Sequence, residues 1–185
     1  MSLHSRRHPR QRPAHVARQG VRTMTVTPLH ALVTGLGLTL ASACALAEEL
    51  PDASVEIEDA IEYRQDALGV MAWQIGPLGA MAQGKRDFDA DLFLEKARRL
   101  AAVAPLPWEG FVKGSLQGDD HGVETDALAD IADDYEDFDQ RYHTLIEETA
   151  KLAEMADGGD QDALFKQVAT VGNTCKGCHD NFRAE

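Results

Sequence analysis

From residue 57 onward, apolar side chains recur every three or four positions. Ile57, Ile61, Leu68, Met71, Ile75 and Leu78 share one face of a first helix, with Arg64 as the single charge on that stripe. Gly76-Pro77 predicts a bend or interruption in its last turns. A second helix presents Phe93, Ala97, Leu100 and Val103; Asp87 or Asp89 would cap it and Pro105 would stop it. The third stripe is the longest, running Leu128, Ile131, Tyr135, Phe138, Tyr142, Leu145, Thr149 and Leu152. Thr125 is its candidate cap and Gly158-Gly159 its end. A fourth begins near Asp160 with Leu164, Val168, Val171, Cys175, Cys178 and Phe182 in register. No segment alternates with the period of two that a strand requires. Two short links and one longer crossover, Pro105 to Glu124, join these segments. The pattern predicts an all-α, antiparallel four-helix bundle.

Charge changes the picture at the N-terminus. Six of the 18 basic residues precede residue 23, and all 31 acidic residues lie at or after Glu48. So acidic a body repels phosphate backbones, which argues against a nucleic-acid partner. Acidic runs such as Asp133-Asp134 and Glu136-Asp137 fall opposite the apolar stripe and read as a solvated face. A basic stretch ending at Arg22 precedes an apolar run from about Leu29 to Leu46, and Ala45-Leu46-Ala47 fits a small-x-small cleavage site. Residues 1–47 therefore read as a cleaved export signal and 48–185 as the mature domain, located in the periplasm. Translation from Met24 and lipidation at Cys44 are variants of this reading. The competing assignment is a transmembrane anchor, for which the run is short and its exit rich in alanine.

The chemistry lies at the C-terminal end. Cys175-Lys176-Gly177-Cys178-His179 is a C-x-x-C-H motif, the pattern of covalent c-type haem attachment. Positions i, i+3 and i+4 share a helix face, so two thiols and an imidazole converge on one side. A structural zinc site asks for four ligands, yet beyond this motif the mature region offers only His121 and His143 and no further cysteine. A redox dithiol normally opens a helix after a strand. A disulfide fits a three-residue helical step poorly. Export favours haem, because attachment in bacteria follows translocation. No nucleophile–base pair appears, so the sequence does not read as an enzyme.

Three stretches resemble the cytochrome c′ family, the class II c-type cytochromes: Glu58 through Leu68 (EDAIEYRQDAL), Leu106 through Phe111 (LPWEGF), and Cys175 through Arg183 (CKGCHDNFR). The likeness spans about residues 55 to 185, with the haem motif at the end of an all-helical chain rather than near its start. It implies one covalent haem c, with Cys175 and Cys178 as thioether anchors and His179 as axial iron ligand. It puts Arg183 beside the imidazole, Arg64 and Gln65 near the propionates or haem edge, and Leu68 over the distal face. Ser115 and Leu116 stand where the family often has Thr and Glu next to the haem, a departure from its pattern. A propionate would also give Arg64 the partner that a charge on an apolar stripe needs.

The resemblance implies five-coordinate, high-spin iron in a tight apolar pocket, because leucine has no atom to donate where low-spin relatives carry methionine. Small gases, NO and CO, are the expected ligands, with electron transfer to an unknown redox partner beside or instead of gas binding. The alternative is a low-spin electron carrier with Met71, one turn beyond Leu68, as sixth ligand. By their positions alone, Leu68, Met71 and Met81 are also ordinary core residues. Trp108 is expected to pack the crossover onto the bundle, and His121 and His143 receive no role. The family's homodimers, built on the first two helices, would use outward apolar side chains, for which Ile75, Leu78 and Met81 are candidates.

Overall fold

The structure, a computed structural model, describes residues 49–185. The expected export signal over 1–47 and the lipidation candidate Cys44 lie outside the described residues. The helices are α1 (Ile57–Ala82), α2 (Ala90–Val103), a short α3 (Asp130–Asp133), α4 (Tyr135–Met155) and α5 (Gln161–Phe182). Among the described residues there is no strand, only one antiparallel bridge between Ala127 and Arg183. No described helix is long and apolar enough to cross a membrane. Helix α1 packs on α2 and α5, and α4 packs on α2 and α5, which closes the four long helices into the bundle that the periodicity predicts.

Helix α1 continues through Pro77, so of the bend or interruption expected there the interruption does not occur. A proline inside a helix costs about 3 kcal/mol. Beyond it, however, Leu78 and Met81 are 0% and 2% exposed, and each such burial is worth roughly 1.5–3 kcal/mol. Packing therefore outweighs the lost hydrogen bond. The burial of these two side chains also removes them as outward dimer candidates, and Ile75 is half-buried against the same core. The apolar side chains that α1 does expose are Trp73, at 73%, and Val70, at 45%.

The α2 cap falls on Asp89, whose carboxylate accepts from Leu92 N at 3.0 Å. Asp160 caps α5 in the same way through Ala163 N, 3.1 Å away. The third predicted helix starts later and is divided: Asp134 has φ −131°, ψ 52° between α3 and α4. This segment is crowded with aspartates, which are poor helix formers. Thr125 caps nothing there; its hydroxyl accepts from Arg64 and from Ala127 N.

Two clusters form the core. One runs along the bundle through Leu78, Phe93, Leu100, Leu152 and Leu164. The other gathers Phe111, Leu116, Ile131, Phe138 and Phe182 beneath the crossover. Trp108 links them: its ring lies 4.4 Å from Tyr142 and 5.6 Å from Phe111, and its indole N–H donates to Ala104 O at 2.9 Å.

Candidate haem site

A cavity of about 470 Å³ opens where the two clusters meet, within the usual range for a cofactor pocket. Helix α1 lines it with Arg64, Gln65, Leu68 and Met71, and α5 with Cys175, Cys178 and His179. Aromatic rings of Trp108, Phe111 and Phe138 complete an apolar wall. Seven of the nine site residues proposed from sequence thus face one space.

Cys175 and Cys178 are not bonded to each other. Among the described residues no group of three or more His, Cys, Asp or Glu side chains is arranged to hold a metal ion by itself. Cys175 packs against the bundle cluster and Cys178 against the crossover cluster. Burial raises both thiol pKa values, that of Cys178 to about 11, so both are neutral. Burial, and then the nearby Arg183 charge, lower the pKa of His179. The neutral imidazole is the form that ligates a metal.

Arg64 is 1% exposed. Its Nη1 donates to Gly110 O at 3.0 Å and Ser115 Oγ at 2.7 Å; its Nη2 donates to Ser115 O at 2.5 Å and Thr125 Oγ1 at 2.8 Å. The guanidinium lies 4.5 Å from the centre of the Phe111 ring. Every one of these acceptors is neutral. Burial without a counter-charge lowers its pKa to about 10, which still leaves it cationic at neutral pH. Gly110 permits this approach, because a Cβ there would stand 2.4 Å from Ala60 O and 2.8 Å from Arg64 Cβ.

Two residues proposed as haem neighbours are not on the cavity wall. Ser115 is turned to Arg64 and to Val112, supporting the guanidinium. Leu116 is buried in the crossover cluster, and its backbone N–H donates to Asp119. Sequence reasoning missed Thr125, Asp126 and Ala127, which line the cavity. They belong to a strap that ties the crossover to the end of α5: Leu128 N donates to Phe182 O at 3.0 Å, and Ala184 N to Asp126 O at 2.8 Å. Arg183 pairs with Asp126 at 3.3 Å, and Gln65 donates to Glu124 O at 2.8 Å. Nothing in a Thr-Asp-Ala triplet signals this; it is a consequence of how the crossover returns.

The donor set fits a haem. Two thiols one turn apart and a neutral imidazole share the cavity with a buried cation that lacks an anion, which propionates would supply.

Comparison with known proteins agrees. A family model described as Cytochrome C′ matches residues 59–183. A cytochrome c′ from Halomonas halodenitrificans is 64% identical over 131 residues, 70% of this chain and 99% of that protein. The solved cytochrome c prime from Shewanella frigidimarina is 42% identical and superposes with a TM-score of 0.64, over 70% of this chain and 98% of the other. A solved nitric oxide complex of a leucine-to-alanine mutant of the Alcaligenes xylosoxidans protein is 32% identical, with a TM-score of 0.63, over 72% of this chain and 99% of that one. With the bundle, the cavity and the C-x-x-C-H motif all in place, the chain belongs to the cytochrome c′ family and carries a covalent haem c at Cys175 and Cys178.

Proposed function

We propose that this protein is a periplasmic haem protein that binds small gases such as NO and CO at an iron with one protein ligand. A bound haem supplies an iron that takes up diatomic ligands and exchanges an electron. The chain's residues set which of these is favoured. Cys175 and Cys178 anchor the group, His179 ligates from α5, and Arg64 offers its cation to the propionates. Leu68 carries the reading: a side chain with no donor atom occupies the α1 wall of the cavity that His179 also lines. With haem bound, Leu68 would offer the iron no donor atom while narrowing the space on the α1 side, which would admit small ligands and exclude bulky ones. The nitric oxide complex of the Alcaligenes relative supports gas binding as the chemistry of this site.

The experiment is CO binding by Leu68→Ala against wild type. Faster and tighter binding is expected, because less of the wall has to move. Unchanged rates would sink the assignment of Leu68 to the ligand side.

A second reading keeps Met71 as sixth ligand in an electron carrier, because Met71 lines the same cavity. Its thioether can donate to iron, which Leu68 cannot. The exposed Trp73 and Val70 on α1 support the homodimer proposed from the resemblance. The basic start and apolar run before Glu48 support export.

A further inference from the structure

Among the described hydrogen bonds, one reaches the haem motif from outside its own helix, at the carbonyl oxygen of Gly177. Arg141 on α4 donates Nη1–H to it at 2.9 Å. The same guanidinium donates Nε–H to Asp137 Oδ2 at 2.6 Å, one turn back on α4, and lies 5.9 Å from the centre of the Phe182 ring. A planar group fixed at three points has little freedom left. Arg141 and Asp137 are each about one-third exposed, so geometry, more than burial, holds the guanidinium in place.

Gly177 is matched to this contact. A Cβ at that position would stand 3.2 Å from Arg141 Nη1. Glycine inside a helix is otherwise unfavourable, and here its bare backbone admits the guanidinium. Asn181 Nδ2 reaches the same oxygen at 2.8 Å, but it belongs to α5 and moves with it. Arg141 ties the oxygen to a different helix. A second link from α4 to α5, Gln167 to Glu148, lies two turns before Cys175 and leaves the motif itself untouched.

We propose that Arg141 is a positioning residue for the axial ligand: by holding the Gly177 carbonyl it fixes the pose of Cys178 and His179, the next two residues, against the cavity wall. This rests on His179 being that ligand. The positive charge of Arg141 near Cys178 also offsets the negative charge of Asp137 there, so removing it alone would disfavour the reduced iron.

The two effects separate in the holoprotein. Resonance Raman of the ferrous state reads the iron–histidine stretch, and a redox titration reads the potential. Arg141→Lys keeps the charge and loses the planar fork, so the stretch should shift while the potential stays near wild type. Arg141→Met should shift the stretch and lower the potential. Gly177→Ala improves helix propensity while pushing the guanidinium outward, so the stretch should shift with no loss of thermal stability. If Arg141→Met loads no haem, the other two variants carry the test. A stretch identical to wild type in every variant that loads haem, whatever their melting temperatures, would overturn the proposal and reduce Arg141 to a packing residue. A wild type with no iron–histidine stretch would instead remove the axial assignment of His179, and this proposal with it.

Discussion

Arg64 makes four hydrogen bonds and has no counter-charge, and this combination separates two jobs in one side chain. Its hydrogen bonds hold the crossover to α1 through Gly110, Ser115 and Thr125. Its charge has no carboxylate among its own hydrogen-bond partners, although Asp126 lines the same cavity and pairs with Arg183, and is available to the haem. Arg64→Met fills similar space but strands these acceptors, at about 1–3 kcal/mol for each one left buried and unpaired. Urea unfolding should show a clear loss of stability. Arg64→Lys should recover only part, since one ammonium cannot span four acceptors fixed in a fork. A midpoint unchanged in both variants would contradict the bracing role. The sequence made the charge on the apolar stripe visible, but not its bracing partners, because they come from residues 46 to 61 positions away that no local pattern connects to it.

At the level of elements, periodicity carried the long helices, since one buried stripe decides each of them. Local breakers misled where tertiary packing outweighed them, as at Pro77, and the apolar stripe concealed the division at Asp134, where a run of poor helix formers leaves the backbone out of helical geometry. The aromatic and crossover walls of the cavity were not legible, because Phe111, Phe138 and Thr125 read equally well as core or cap. The 3₁₀ turn Leu106–Gly110 shows how closely the crossover sits on α1. Gly110→Ala forces a Cβ against the Ala60 carbonyl, a backbone atom that cannot step aside. It should cost about 1–3 kcal/mol or more through overpacking. Gly172→Ala, on an exposed stretch of α5 with open space around it, should instead gain roughly 0.5–1 kcal/mol. Denaturant curves of the two variants should move in opposite directions; a shared direction would mean that the crossover is not seated as described.

For the whole molecule, the uneven charge and the haem motif point the same way. On the proposed reading, residues 1–47, with six of the basic residues and none of the acidic ones, direct the chain across the inner membrane. Mass spectrometry of the purified protein should find a mature N-terminus at or near Glu48 in the periplasmic fraction. An intact leader, or lipid on Cys44, would contradict this. On the proposed reading the bundle holds two faces of one cavity at fixed separation, α5 with His179 as the iron ligand and α1 with Leu68, and α1 contributes no ligand. The spin state of ferric and ferrous holoprotein, read by absorption and resonance Raman for wild type and Met71→Leu, tests it most directly. High-spin iron with one protein ligand is expected in both proteins, unaltered by the substitution. A low-spin wild type that Met71→Leu converts to high-spin would contradict it and make the protein a methionine-ligated electron carrier.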